Sequence, residues 1–454
     1  MSKILDRPLI TVIMPSYNVS NYIEECLLSV IGQTLHEIEI LCIDAGSTDG
    51  TREIIKKYEK IDNRIKLIDS EKKSVGYQEN IGIASAKGEY IGFVETDDYI
   101  CEDMYEKLYK HAKALDVEFV KCDYFEFVTT DYGKCCFGHR ISKSIGAGEI
   151  INPSVSPEKR VVDSTMWNGI YNTAFLRRKN IKLNETPGAA YQDIGFVLQV
   201  YLNSERASYI NESLYFYRKD SENASVINPH GLLMIYRELQ YCKEYLKNYV
   251  SEDSWWWIVY YERLLGGSVS SRIIRYLDND DGKCDELYST LELVRDEYIE
   301  GIERGFISAT YTSLNNVFIA NLLKDSIEIY LRYYDRIRIG KKNYIKDLVE
   351  KVINSENTII FGAGNWGKLL YLLLKKNDAD SKVTMYLDND EKKWGRELFD
   401  KPIYSLESKK NESRKSLIII ANGPSRFCIY RQLISEGVSE KSIILFQPTG
   451  LEIR

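Results

Sequence analysis

The sequence predicts an α/β protein. A doubly wound, mostly parallel sheet is followed by a helical region and then by a small second α/β domain. Three observations predict this. Short apolar, β-branched runs alternate with helix-period segments up to about residue 225. Helical periodicity then continues without intervening strands to residue 353. From residue 357 a strand, a glycine-rich turn and a helix follow one another directly. The expected domains are therefore 1–225, 226–353 and 354–454.

Each element has its own signal. Residues 9–14 are an apolar run stopped by a turn at Pro15-Ser16. Residues 21–33 follow as a helix, with Ile23, Cys26, Leu27 and Val30 on one face and Ser20 or Asn21 as N-cap. Residues 38–43 are the second strand, and residues 51–58 open a helix with Ile54, Ile55 and Tyr58 on one face. Residues 64–68 and 90–94 are the third and fourth strands. Strands that alternate with helices pair in parallel. In the middle region, Ile235, Leu239, Cys242 and Leu246 share a helical face, as do Ile345, Leu348, Val349 and Val352. The Trp255-Trp256-Trp257 cluster reads as core, with a membrane-surface or dimer contact as the alternative. Asp278 to Gly282 lacks the spacing and final Glu of an EF-hand and reads as a turn. Strands at 357–361, 383–387 and 417–420 complete the last domain.

The strand ends carry the chemistry. Residues 88–94 deliver Glu95-Thr96-Asp97-Asp98 to the C-terminal end of a strand, where open α/β sheets bind ligands. Adjacent carboxylates suit a hard divalent cation, whose natural partner is a diphosphate. An acidic turn is the plain alternative. Pro15-Ser16-Tyr17-Asn18 ends the first strand, and Asp44-Ala45-Gly46-Ser47-Thr48-Asp49-Gly50 ends the second. In a doubly wound sheet these turns share one edge and form an acidic, Tyr-containing cleft.

Those motifs, with Asn80-Ile81-Gly82-Ile83, Lys87-Gly88-Glu89, Met166-Trp167-Asn168-Gly169, Tyr191-Gln192-Asp193-Ile194, Tyr217-Arg218 and Ser221 to Ser225, stand in an order similar to that of family 2 glycosyltransferases of the GT-A fold. The resemblance covers about half the chain. It implies that Pro15 and Tyr17 line a nucleotide pocket, with Tyr17 on the base. Asp44 would sit beside the base or ribose and Asp97 near the ribose. Asp98 would hold the Mn²⁺ or Mg²⁺ that bridges the donor diphosphate, and Asp193 would be the catalytic base. Arg218 would contact phosphate, and Trp167 would stack on a sugar face. Salt-bridge and core roles are the alternatives for these last two. The sequence departs from the pattern at Ala45, where a second Asp is common, and at Gln192, a frequent Glu. It departs again at Gln78-Glu79, before the third helix, where Ala-Arg is common. Ala45 removes a carboxylate that could read a nucleobase, and Glu79 removes a positive charge from the donor side.

Gly362-Ala363-Gly364-Asn365-Trp366-Gly367 lies between a strand and a helix, and Asp388 ends the next strand 21 positions after the last glycine. Such glycines permit a tight turn and bring phosphate to a helix N-terminus, and Asp388 could bond a ribose hydroxyl. The segment resembles the nucleotide-sugar-sensing Rossmann-like modules found beside sugar-modifying enzymes. A scaffold that binds nothing is the competing reading.

Composition narrows the classes. With net charge −7, the chain does not offer the general basic field of a nucleic-acid binder. No apolar run reaches the roughly 18 residues that span a bilayer, and residues 1–8 lack a signal-peptide core. These features predict a cytoplasmic protein, with peripheral contact at the inner membrane face and homo-oligomerisation left open. Nine scattered cysteines without a CxxC pair argue against a disulfide framework or zinc site. The expected function is an inverting, metal-dependent glycosyltransferase of surface polysaccharide biosynthesis. It would use a nucleotide sugar, UDP-sugar first, and a glycan or lipid-linked acceptor. Two rivals are a nucleotidyltransferase, which lacks its basic Gly-rich loop here, and a non-catalytic nucleotide-sensing partner.

Overall fold

The computed structural model describes residues 7–141, 145–146, 148–155, 164–189, 191–221, 231–262, 268–278 and 285–448. Residues 222–225 and 279–282, parts of two motifs read from the sequence, lie outside them. The chain forms two compact units. One comprises Met1–Thr129 with Cys136–Leu331, the other Thr130–Cys135 with Arg332–Arg454.

The first sheet contains β1 (Ile10–Ser16), β2 (Ile38–Asp44), β3 (Ile65–Asp69), β4 (Tyr90–Phe93), β5 (Tyr99–Ile100), β6 (Phe119–Thr130), β7 (Gly133–His139), β8 (Gly169–Asn172) and β9 (Ala207–Arg218). Their order is β3-β2-β1-β4-β8-β6-β9-β5, with β7 paired to β6. The four strands expected from the sequence are β1 to β4, and they pair in parallel. β1 and β2 are buried at every position, as strands covered on both faces must be. Beyond β4 the sheet turns mixed: β8 runs antiparallel to both β4 and β6, and β5 antiparallel to β9.

Local differences from the sequence expectation have physical causes. Pro15 and Ser16 extend β1 instead of ending it, because a parallel ladder on β2 continues to Ser16 opposite Asp44. The first helix is Ile23–Ile31, and Tyr22, not Ser20 or Asn21, occupies its N-cap. Gln78, Glu79 and Asn80 lie inside the third helix, Val75–Ser85, whose N-cap Ser74 Oγ accepts from Tyr77 N–H. That helix lies close on β1, since a Cβ at Gly82 would come within 2.6 Å of the Ile13 side chain.

Helices Gly231–Tyr249, Trp256–Val259, Ser268–Asp278, Asp285–Glu303 and Leu314–Asp325 belong to the first unit. The division between units falls inside the long helix Ile327–Ile353. Trp256 and Trp257 are buried, as a core cluster requires. No helix of the described residues is long and apolar enough to cross a membrane.

The second unit holds β10 (Thr358–Phe361), β11 (Val383–Leu387), β12 (Glu397–Leu398), β13 (Lys401–Tyr404), β14 (Leu417–Ile420) and β15 (Ile443–Leu445), in the order β12-β13-β11-β10-β14-β15. All but β12 pair in parallel. Ile359, Phe361, Leu387, Ile418, Ile420 and Leu433 form its core.

Candidate active site

A cleft of about 1040 Å³ opens at the C-terminal edge of β1 and β4, bounded by the helix Gln192–Asn203, the end of β9 and the helices Gly231–Tyr249 and Ser268–Asp278. Its size suits a small ligand of nucleotide-sugar dimensions.

The walls are knitted by a few directed bonds. The Gln78 side-chain amide donates to the Ser16 and Ile43 carbonyls, which holds the ends of β1 and β2 together. Thr96 Oγ1 donates to the Pro15 carbonyl at 2.9 Å and ties the acidic loop to β1. Tyr215, on β9, donates its hydroxyl to Asp98 Oδ2 at 2.7 Å and accepts from Glu95 N–H at 3.1 Å.

Of the residues predicted from the sequence, Pro15, Tyr17, Asp97, Asp193, Trp167 and Arg218 line the cleft. Tyr17 is 41% exposed, and the Lys73 ammonium lies 4.4 Å above its ring and donates to its hydroxyl at 2.6 Å. Trp167 is buried in an aromatic stack, 4.2 Å from the Tyr215 ring centroid. Arg218 Nη2 donates to Glu25 Oε2 at 2.8 Å and its Nε to the Asp97 carbonyl at 2.7 Å. Its guanidinium is thus already engaged with the acidic loop.

Asp98 and Asp44 are not among the residues that line the cleft. Asp98 is 1% exposed, and its two oxygens accept from Tyr215 Oη and Arg218 N–H, each at 2.7 Å. It anchors the loop from behind, so Asp97 is the carboxylate of this pair that borders the cleft. Asp44 is fully buried and accepts from Gly46 N–H, Ser47 N–H, Ser47 Oγ and Arg52 Nη1. Asp49 likewise accepts from Ser20 N–H and Thr51, which holds its carboxyl down at about 2 against the opposing effect of burial. This acidic stretch therefore shapes a loop.

Asp193 stands in the first turn of its helix, two residues after the N-cap Tyr191, which takes a left-handed φ of 64°. Burial pushes the Asp193 carboxyl up to about 6, with Ile194 N–H and the fields of Lys121 and Arg272 opposing the rise. Glu79 and Glu95 also border the cleft. Glu79 is 1% exposed, and neither carboxylate oxygen has a hydrogen-bond partner among the described residues. Burial first, then Glu95 and Asp193, lift it well above the usual carboxylate range. Glu95 is raised by burial, Asp97 and Asp193. Glu79 was visible in the sequence only as a departure from a pattern. Arg272 was not visible at all, since nothing in an ordinary helical stretch tells which residue meets a distant cleft.

In the second unit, Gly362 has φ of 120°, and a Cβ at Gly367 would lie 1.9 Å from the Gly362 carbonyl oxygen. The glycines make the tight turn. Asp388 accepts from Ala363 N–H at 2.8 Å, Asp390 N–H at 2.9 Å and Lys393 Nζ at 2.9 Å. Burial raises its carboxyl, but these three donors outweigh it and leave the group below the usual range. Its oxygens hold the turn.

Residues 11–179 match the family described as Glycosyl transferase family 2, and residues 354–444 match C2185-like, N-terminal. The chain is 30% identical over 226 residues to the uncharacterized glycosyltransferase EpsJ of Bacillus subtilis, covering 48% of this chain and 64% of EpsJ. It is 32% identical to the glycosyltransferase GlyA of Streptococcus pneumoniae over 46% of this chain, but spans only 30% of GlyA. Among solved structures, S. aureus TarS 1-349 in complex with UDP-GlcNAc superposes with a TM-score of 0.54 at 20% identity, over 73% of this chain and 92% of that one. That likeness is one of fold and supports GT-A. The glycosyltransferase GlyG of Streptococcus pneumoniae is 32% identical over 219 residues, which cover 47% of this chain and 71% of GlyG. On that similarity and the match at residues 11–179, the chain belongs to glycosyl transferase family 2.

Proposed function

We propose that this protein is an inverting glycosyltransferase that moves a sugar from a nucleotide sugar to a glycan or lipid-linked acceptor in polysaccharide biosynthesis. One observation carries the reading. Asp97, in the loop after β4, and Asp193, at a helix start almost a hundred residues later, border one cleft that Pro15 and Tyr17 also line.

The nucleotide lies against Pro15 and Tyr17, with the diphosphate near Lys73. Asp193 accepts the proton of the acceptor hydroxyl as that oxygen attacks the anomeric carbon. The bond from the anomeric carbon to the diphosphate oxygen breaks, the nucleoside diphosphate leaves with the electron pair, and the configuration inverts. An acid raised to about 6 is ionised at neutral pH yet basic enough to take that proton.

Among the described residues, no three His, Cys, Asp or Glu side chains form a group that could hold a metal ion. A cation held by one carboxylate and completed by diphosphate oxygens and water fits this site, a pattern usual for Mg²⁺. Asp97, not Asp98, is the residue we assign to it, because both oxygens of Asp98 are bonded behind the loop. When bound, such a cation neutralises charge on the leaving diphosphate.

A panel of UDP-, GDP-, CDP- and dTDP-sugars with Mn²⁺ or EDTA tests this on the full chain. The expected result is that one donor stabilises the protein only with metal. Asp193→Asn should keep that stabilisation while release of nucleoside diphosphate is lost. Release at the wild-type rate would remove Asp193 from its role. If no donor binds or turns over, the protein is better read as a non-catalytic partner.

A further inference from the structure

We propose that the acceptor carries negative charge, as phosphate or carboxylate, beside its reacting hydroxyl, and that Arg272 binds that charge. The inference rests on the glycosyl-transfer reading and names the acceptor class.

Three basic side chains line the cleft among the described residues, and they differ in what occupies them. Arg218 is paired with Glu25 and bonded to the acidic loop. Lys73 donates to the Tyr17 hydroxyl at the nucleotide end. Arg272, from the helix Ser268–Asp278, has its guanidinium carbon 4.4 Å from the Tyr191 ring centroid. Its Nε and Nη1 are buried without a hydrogen-bond partner, and no carboxylate pairs with the group among the described residues. A buried donor without a partner is costly, and in a ligand site the ligand commonly satisfies it.

The position indicates which ligand. Tyr191 is two residues before Asp193, and Arg272 is close enough to lower the Asp193 carboxyl. Arg272 therefore stands beside the proposed base, on the side of the cleft built by the helical region. The proposed nucleotide wall, Pro15 and Tyr17, lines the same cleft. A planar guanidinium stacked on a ring has its fork fixed, which suits two-point recognition of phosphate or carboxylate. Met234 and Ile235 add an apolar surface on the same side.

The test uses the full chain saturated with Mn²⁺ and the nucleoside diphosphate that the donor panel selects. Glucose 6-phosphate, glucuronic acid, geranyl diphosphate and uncharged glucose are titrated by calorimetry into wild type, Arg272→Gln and Arg272→Lys. At least one charged probe should bind wild type tenfold or more tightly than glucose. Arg272→Gln should lose at least tenfold for that probe, Arg272→Lys should keep part of it, and nucleoside diphosphate affinity should stay within twofold. Preference for geranyl diphosphate points to a lipid diphosphate, for the sugar phosphate to a phosphate polymer, and for glucuronic acid to an acidic polysaccharide. Charged probes binding no better than glucose, or equally well to Arg272→Gln, would overturn the proposal. If wild type binds no nucleoside diphosphate, it is the donor-site reading that fails. The same probes titrated without nucleotide then still decide the role of Arg272.

Discussion

Burial sets the charge state of the acids around the cleft, and two predictions follow at the scale of single residues. As the proposed base, Asp193 acts only when ionised, and its carboxyl is raised to about 6. Sugar transfer should therefore fall as pH drops through about 6, and initial rates between pH 5 and 8 should show this acid limb. Glu79 keeps an unpartnered carboxyl in the wall at a cost of about 1–3 kcal/mol. Glu79→Met should recover part of that in chemical denaturation, and donor binding should weaken if the carboxyl meets the ligand. The sequence made Asp97 and Asp193 legible because each sits in a short motif at a strand end or helix start. For Asp98 and Asp44 a motif records that a carboxylate is present without recording which way it faces. Tyr215 and Arg218 turn Asp98 inward, and Arg52 and the Ser47 amide claim Asp44.

At the scale of elements, the contact between Gln192–Asn203 and Gly231–Tyr249 is set by a glycine and an acid. Glu238 Oε1 accepts from Gly195 N–H at 3.1 Å, and a Cβ at position 195 would come within 2.3 Å of that oxygen. Burial lifts the Glu238 carboxyl to about 8, against bonds from Asn184 and Gly195. A pKa raised on folding means the folded state holds the proton more tightly. Its stabilising effect is complete below the unfolded value of 4.5 and is lost as pH climbs to about 8. The slope is about 1.4 kcal/mol per pH unit at most. Glu238→Gln should flatten this decline, so that its melting temperature changes less than that of wild type between pH 6 and 9. Parallel strands β1, β2, β4 and β10 were legible because burial on both faces writes them as nearly unbroken apolar runs. Strands β5 to β9 were not. β9 carries Asn211 and Glu212 mid-strand, and β6 breaks its alternation at Tyr124-Phe125, so neither gives a clear period.

At the scale of the whole molecule, two compact units predict two unfolding transitions in calorimetry of the full chain. A donor with Mn²⁺ at 100 times its dissociation constant should add about 2.7 kcal/mol to one transition, and EDTA should abolish that gain. A gain confined to the transition that β10–β15 report would move nucleotide binding to the glycine turn. The tie from Asp98 to Tyr215 and Arg218 has a further consequence, for synthesis. Its partners lie 117 and 120 residues apart. At about 5–20 residues per second, a ribosome needs roughly 6 to 24 seconds between making the acidic loop and making its anchor. Throughout that interval the emerging chain holds Pro15, Tyr17 and Asp97 but lacks the strand that anchors the acidic loop. A nascent chain should be unable to sequester donor until β9 has left the exit tunnel.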